Sequence, residues 1–281
     1  MPAEAAARQA RPMIERYAAF TTDPAGGNPA GVVLDAADLA DERMLEIAAE
    51  LGFSETAFVT GRAGDRLRLR FFSPLAEVAF CGHATVATAV ALGPGEHVFV
   101  TNAGEVPVTV DTTGFATLTS VPTRVEPLPD ADLTALLTTL RWSADDLDAA
   151  LPPRVAYSGN FHPILAAGSR ERLADLDYDV PALKALMTER DWTTIQLVFR
   201  AGQHSFDVRD PFPVGGVYED PATGSAAAAL GGYLRELGLV ADDATLELRQ
   251  GDDLGRPSRL TVRLVPGEPG VRVSGQAVPM G

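Results

Sequence analysis

The chain has 281 residues, room for two domains of ordinary size at roughly 150 residues each. Hydrophobic residues make up 46% and charged residues 22%, a globular composition that argues against a disordered chain. Lys and Arg number 23 against 38 Asp and Glu, and no basic cluster interrupts the net charge of −15, which argues against a nucleic-acid partner.

The single cysteine, Cys81, excludes an intramolecular disulfide, a multi-cysteine zinc site and any mechanism that needs two thiols. No apolar run approaches the ~18 residues of a membrane span. Residues 1–12 lack the apolar centre of a secretory signal, so they are expected to form a frayed end on a cytoplasmic protein with no membrane contact.

From Met13 the sequence predicts a strand to Phe20, a Gly/Pro-rich turn to Pro29, and a second strand over Ala30–Leu34. Asp41–Leu51 has helical periodicity, with Met44, Leu45, Ile47, Ala48 and Leu51 on one face and Gly52 as its stop. Strands are predicted over Ala57–Thr60, Leu67–Phe72, His97–Thr101, Val106–Asp111 and Phe115–Ser120. Gly82–Leu92 is small and apolar all round, the pattern of a helix buried on most sides. In the second half, strands are predicted at Arg154–Tyr157, Pro163–Ala167 and Thr194–Arg200, with a helix over Val180–Arg190. Another Ala-rich buried helix spans Gly224–Leu237, and strands return at Thr245–Gln250, Arg259–Val265 and Gly270–Gly275.

The halves echo one another. Gly27-Asn28 precedes a strand, a helix, further strand and Gly82 opening an Ala-rich helix; Gly159-Asn160 precedes the same series ending at Gly224. The intervals are 54 residues from Asn28 to Gly82 and 64 from Asn160 to Gly224. This order predicts an internally duplicated α+β unit, joined within Val121–Asp132, where Pro122, Pro127 and Pro129 cluster.

Two such helices aimed the same way would bring two N-termini to one cleft. Unpaired N–H groups and the helix dipole make that a place for a small carboxylate, with Gly82 and Gly224 allowing close approach to the backbone. Polar side chains flank these landmarks: His83 after Gly82, Ser225 after Gly224, Asp220 just before, and Glu55 between a helix and a strand. Asp220 is also readable as a cap or turn residue before the helix, and Glu55 as a solvated loop carboxylate. Cys81 reads as a small buried residue, and His97 and His204 belong to no constellation.

Six strings in order resemble the PhzF phenazine-biosynthesis-like family. They are Gly27-Asn-Pro-Ala-Gly-Val-Val33, Leu51-Gly-Phe-Ser-Glu-Thr-Ala-Phe58, Arg70-Phe-Phe-Ser-Pro-Leu-Ala-Glu-Val78, Cys81-Gly-His-Ala-Thr85, Glu219-Asp-Pro-Ala-Thr-Gly-Ser-Ala226 and Gln250-Gly-Asp-Asp-Leu-Gly-Arg-Pro-Ser258. The resemblance covers nearly everything from Met13 onward. It implies a fold like that of diaminopimelate epimerase: two pseudo-equivalent α+β domains, each a β-sheet wrapped around a central helix, with the active site in the cleft between them. The implied domains are 13–122 and 123–270, the first completed by a C-terminal strand within 271–280. Arg209-Asp-Pro-Phe-Pro213 resembles the family's pocket-shaping Arg-x-Phe segment with altered spacing.

Racemases of this fold use two cysteines, and here Pro221 or Ala222 falls near where the second would be. The resemblance to the PhzF enzyme instead implies a cofactor-free isomerase without a metal, in which Glu55 carries a hydrogen between carbons of a small carboxylated substrate. His83 and Asp220 match the supporting polar pair, and Gly82, Gly224 and Ser225 the positions that hold the substrate's carboxylate and polar groups. The alternative is an epimerase pairing Glu55 or Cys81 with Asp220 on opposite faces, or a non-catalytic carboxylate-binding protein. The resemblance also implies a homodimer. A single proton carrier must change protonation state near neutrality, and burial would move a carboxyl toward ~6–7.

Overall fold

A computed structural model describes residues 12–281, so the expected frayed end lies outside the described residues except for Pro12. Strand β1 (Glu15–Ala19) pairs antiparallel with β2 (Asn28–Val33). Helix α1 (Asp41–Leu51) buries Met44, Ile47 and Ala48 and ends at Gly52, whose φ of 67° no β-carbon hinders. The chain then returns as β3 (Glu55–Ala63), parallel to β2, and turns back as β4 (Arg66–Phe72) with the short β5 (Glu77–Val78) on its end. Helix α2 (Gly82–Leu92) leads to β6 (Gly95–Thr101), parallel to β4, and β7 (Gly104–Val110) and β8 (Phe115–Thr119) follow antiparallel.

The second half repeats this pairing scheme. After β9 (Arg124–Pro127) and α3 (Asp130–Leu140) come the antiparallel β10 (Arg154–Tyr157) and β11 (Phe161–Ala166). Helices α4 (Arg170–Ala174) and α5 (Val180–Arg190) lead to β12 (Gln196–Arg200), parallel to β11. Strand β13 (Ser205–Pro211) turns back with the short β14 (Glu219–Asp220) on its end. Helix α6 (Gly224–Glu236) then leads to β15 (Thr245–Gln250), parallel to β13, followed by β16 (Ser258–Arg263) and β17 (Arg272–Pro279).

Two segments cross between the halves side by side. Strand β8 pairs with β17, and the chain beyond β8 becomes β9, which pairs with β10. In return, β17 pairs through Arg272–Ser274 with β16 and through Ala277–Pro279 with β1. Strand β17 thereby closes the strands β1, β2, β3, β4, β6, β7, β8 and β17 into a barrel around α2. Within that barrel, residues His83–Ala89 are all buried, and the hydroxyls of Thr85 and Thr88 donate to carbonyls one turn back, at 2.6 and 2.7 Å, so no donor is left bare. Helix α6 is enclosed likewise from Ala226 to Leu234, and the largest core cluster draws on both halves.

Several boundaries differ from the sequence prediction. Within the segment where the prolines cluster, Pro127 ends β9 and Pro129 precedes α3, so the prolines punctuate secondary-structure elements. Strand β3 begins at Glu55, which is buried and so is no solvated loop carboxylate. Strands β9 and β13 and helices α3 and α4 have no counterpart in the prediction. No helix among the described residues is long and apolar enough to cross a membrane.

Candidate active site

Each half aims its enclosed helix at the same point. A β-carbon built on Gly82 would lie 3.5 Å from the α-carbon of Gly224, and one built on Gly224 3.7 Å from that of Gly82, so the two N-termini abut through glycine backbone. Around them lies a cavity of about 50 Å³ lined by Glu55, Gly82, His83, Asp220, Gly224 and Ser225, and also by Cys81, Asn160, Thr194 and Phe212. All six residues singled out from the sequence therefore share one cavity, although they come from β3, α2, β14 and α6.

Glu55 Oε2 sits 3.5 Å from both Cys81 Sγ and His83 Nε2, and Ser54 Oγ lies 3.4 Å from the same ring nitrogen. Asp220 is held from several sides. The Asn28 amide donates to Asp220 Oδ1 at 2.7 Å and to the Ala222 carbonyl at 2.9 Å, and Thr223 Oγ1 donates to Asp220 Oδ2 at 2.6 Å. Gln250 Nε2 donates to the Asp220 carbonyl and to Thr223 Oγ1, while its Oε1 accepts the Thr223 N–H. The cap reading of Asp220 is thereby corrected: its carboxyl accepts bonds from side chains, and Thr223 precedes the helix.

Burial governs the protonation of this cluster. Asp220 is pushed up to about 7 by loss of hydration and then by the negative charge of Glu55, against the hydrogen bonds from Thr223 and Asn28. Burial lowers His83, with the charge of Glu55 opposing it, so the ring is an uncharged hydrogen-bonding group near neutrality. Burial and then Glu55 push the Cys81 thiol well above its ordinary value, which keeps it a thiol.

Glu55, Cys81 and His83 offer donor atoms within 4.8 Å of one another. The thiol is closest to Nδ1 of the ring, at 3.3 Å, whereas the carboxyl approaches Nε2, at 3.5 Å. The lone pairs of those nitrogens diverge, so a tetrahedral cation would take all three donors only after the ring turned.

A wider cavity of about 370 Å³ adjoins the first and shares Phe80, Asn160, Gly224 and Ser225 with it. Its remaining wall is mostly apolar, including Val106, Leu118, Val121, Tyr157 and Ala228. Phe212, from the segment with altered spacing, lines the smaller cavity, and Arg209 reaches away from it to a buried pair with Glu219.

Sequence reasoning passed over Asn28, His162, Thr194 and Asp210. The repeated Gly-Asn pair was the available signal, since Asn28 holds Asp220 and Asn160 lines both cavities. His162, two residues beyond the second pair, is fully buried behind Ser225.

A family model described as phenazine biosynthesis-like protein matches residues 17–281. An uncharacterized isomerase of Salmonella typhimurium, YddE, is 34% identical, covering 95% of this chain and 96% of its own. The trans-2,3-dihydro-3-hydroxyanthranilate isomerase of Pseudomonas aeruginosa is 31% identical, covering 87% of each chain. The crystal structure of a PhzF-family phenazine biosynthesis protein from Bacillus anthracis superposes with a TM-score of 0.84 at 26% identity, covering 95% of this chain and 96% of that one. With matched motifs, a shared fold and full-length relatives named as isomerases, the chain belongs to the phenazine biosynthesis-like PhzF family.

Proposed function

We propose that the protein is a cofactor-independent isomerase that moves a proton between carbons of a small, unsaturated carboxylic acid, with Glu55 as the carrier. The observation that carries this reading is the shared cavity: Glu55 lines the same small cavity as the two abutting helix N-termini, so a carboxylate bound there would hold its carbon skeleton near the Glu55 carboxyl. One C–H bond breaks as Glu55 takes the proton, the double bond shifts along the skeleton, and Glu55 returns the proton to the carbon at the other end. His83, uncharged, and Asp220, protonated below about pH 7, would bond the polar substituents and fix the skeleton. Gly82, Gly224 and Ser225 would receive the carboxylate.

A cavity of about 50 Å³ holds a few waters rather than a six-membered ring, so substrate would enter through the adjoining 370 Å³ cavity. On this reading residues 13–122 and 123–270 act as domains that part to admit it and close behind it. Incubation with trans-2,3-dihydro-3-hydroxyanthranilate, followed by ultraviolet absorption, tests the assignment. Conversion by the native protein and its loss in Glu55→Gln support it; conversion undiminished in Glu55→Gln removes Glu55 as carrier.

A second reading, a two-base epimerase, is favoured by one feature: Asp220 changes protonation near neutrality and lines the same cavity as Glu55. Turnover in heavy water separates the two. A two-base epimerase labels its product from solvent, whereas a single shielded carboxyl returns much of the substrate's own hydrogen.

A further inference from the structure

Behind Ser225 runs a chain of buried polar groups that the isomerase reading does not use. Ser225 Oγ lies 3.1 Å from His162 Nε2, His162 Nδ1 lies 2.8 Å from Thr194 Oγ1, and Thr194 Oγ1 lies 2.9 Å from Asp210 Oδ1. His162, Thr194 and Asp210 are at most 1% exposed, and they come from β11, the approach to β12, and β13. The chain starts at the cavity and ends blind, because Asp210 Oδ2 has no hydrogen-bond partner among the described residues.

We propose that His162, Thr194 and Asp210 form a positioning relay that fixes the direction of the Ser225 hydroxyl, turning its proton into the cavity as a donor toward a carboxylate. Every group in the chain except the carboxyl can be donor or acceptor, so the state of Asp210 decides the rest. An ionised Asp210 would be a buried anion with one hydrogen bond, near the acidic groups of Asp220 and Glu219 and with no cation bonded to it among the described residues. The neutral acid avoids that cost. Its proton belongs on Oδ1, where it makes the one available bond and leaves a bare carbonyl oxygen at Oδ2, rather than on Oδ2, where an O–H would be stranded.

The remaining directions follow in order. Asp210 donates to Thr194, Thr194 to His162 Nδ1, and His162 carries its proton on Nε2 and donates to Ser225. Burial holds the ring pKa down to about 3, so it remains neutral and each nitrogen keeps one role. The backbone of Thr194 opposes this arrangement by drawing a proton toward the ring. The hydroxyl relay overrides it, so removing the Thr194 hydroxyl should reverse the ring.

The relay's consequence for catalysis rests on the isomerase reading; the relay itself does not, and the test uses the ligand-free protein. Long-range proton–nitrogen NMR correlations distinguish the two neutral forms of an imidazole, because a protonated ring nitrogen resonates far from an unprotonated one. There are four histidines, and Ser225→Ala identifies His162 through the perturbation of its Nε2. The expected result is a neutral His162 with the proton on Nε2, unchanged in Asp210→Asn, whose amide N–H makes the same donation to Thr194. In Thr194→Val the nitrogen shifts should exchange, placing the proton on Nδ1. A proton on Nδ1 in the native protein, an imidazolium, or reversal in Asp210→Asn would overturn the proposal. Because the native protein and Asp210→Asn decide the matter alone, misfolding of Thr194→Val would not protect it.

Discussion

Asp220→Asn gives a direct measure of how strongly the cavity resists a second negative charge. In the folded protein the Asp220 carboxyl is pushed up to about 7 from its ordinary 3.8. Between those values the folded state binds more proton than the unfolded chain, so Asp220 lowers stability as pH rises from about 4 to about 7 and adds nothing further above that. At about 1.4 kcal/mol per pH unit, the loss between pH 5 and pH 7 is about 3 kcal/mol. Asparagine has no such titration. It carries its own penalty, because the Asn28 amide and the Thr223 hydroxyl both donate to this side chain and one would then face an N–H₂. That penalty is independent of pH and cancels when the variant is compared with the native protein at two pH values. Relative to native, Asp220→Asn should therefore gain about 3 kcal/mol between pH 5 and pH 8. With an unfolding entropy of about 2.1 cal/mol/K per residue over 281 residues, this is about 5 °C in relative Tm, readable by thermal unfolding at constant ionic strength. An equal Tm difference at both pH values would refute the reasoning, and would mean that the bonds from Asn28 and Thr223 outweigh burial and keep Asp220 ionised throughout.

Arg209 and Glu219 form a buried pair, with side chains 8% and 0% exposed, so Arg209→Met should cost about 3–5 kcal/mol by leaving Glu219 uncompensated. Adding Glu219→Leu should recover most of that loss in denaturant unfolding; no recovery would show that the bonds from Arg209 to the Leu173 and Ala174 carbonyls matter more. The Cys81 thiol, held protonated, should react with iodoacetamide at pH 8 about tenfold or more slowly than a free cysteine, and rapid alkylation of the folded protein would contradict its assigned state. A tightly bound carboxylic acid should narrow the small-angle scattering envelope as the halves close, and superimposable profiles with and without it would count against domain closure.

Much of this fold is written locally. Helix α2 matches its predicted limits because glycine opens it, Gly93 follows its end, and the residues between are small on every side. Gly52 stops α1 for the same kind of reason, a left-handed conformation open to glycine. Strand β13 was illegible because Arg209 and Asp210 give it a solvent-facing appearance, whereas Glu219 neutralises one and Thr194 bonds the other inside the protein. The six candidate residues could be named because each stands in a motif next to a helix start or a turn. Asn28 is separated from Asp220 by 192 positions and His162 from Ser225 by 63, and no local spacing encodes such bonds. Pairing across a folded sheet creates them.

The repeated pairing scheme bears on the choice between one base and two. Two residues beyond Asn28, Ala30 stands across from Glu55; two residues beyond Asn160, His162 meets Thr194. Threonine thus occupies in the second half the place that the carboxyl of Glu55 occupies in the first. At the helix starts Cys81-Gly82-His83 corresponds to Thr223-Gly224-Ser225, and the strand registers Phe71↔Val78 and Asp210↔Asp220 set two apolar residues against two acids. A symmetric two-base enzyme would be expected to keep a base at equivalent positions on both sides. Here the first half lines the cavity with the carboxyl of Glu55, a thiol and an imidazole, whereas the second lines it with hydroxyls and with Asp220, a carboxyl protonated below about pH 7 and held by Asn28 and Thr223. That asymmetry favours a division of labour in which one half moves the proton and the other grips the substrate, and it weighs for Glu55 as a lone carrier over an inversion shared between faces.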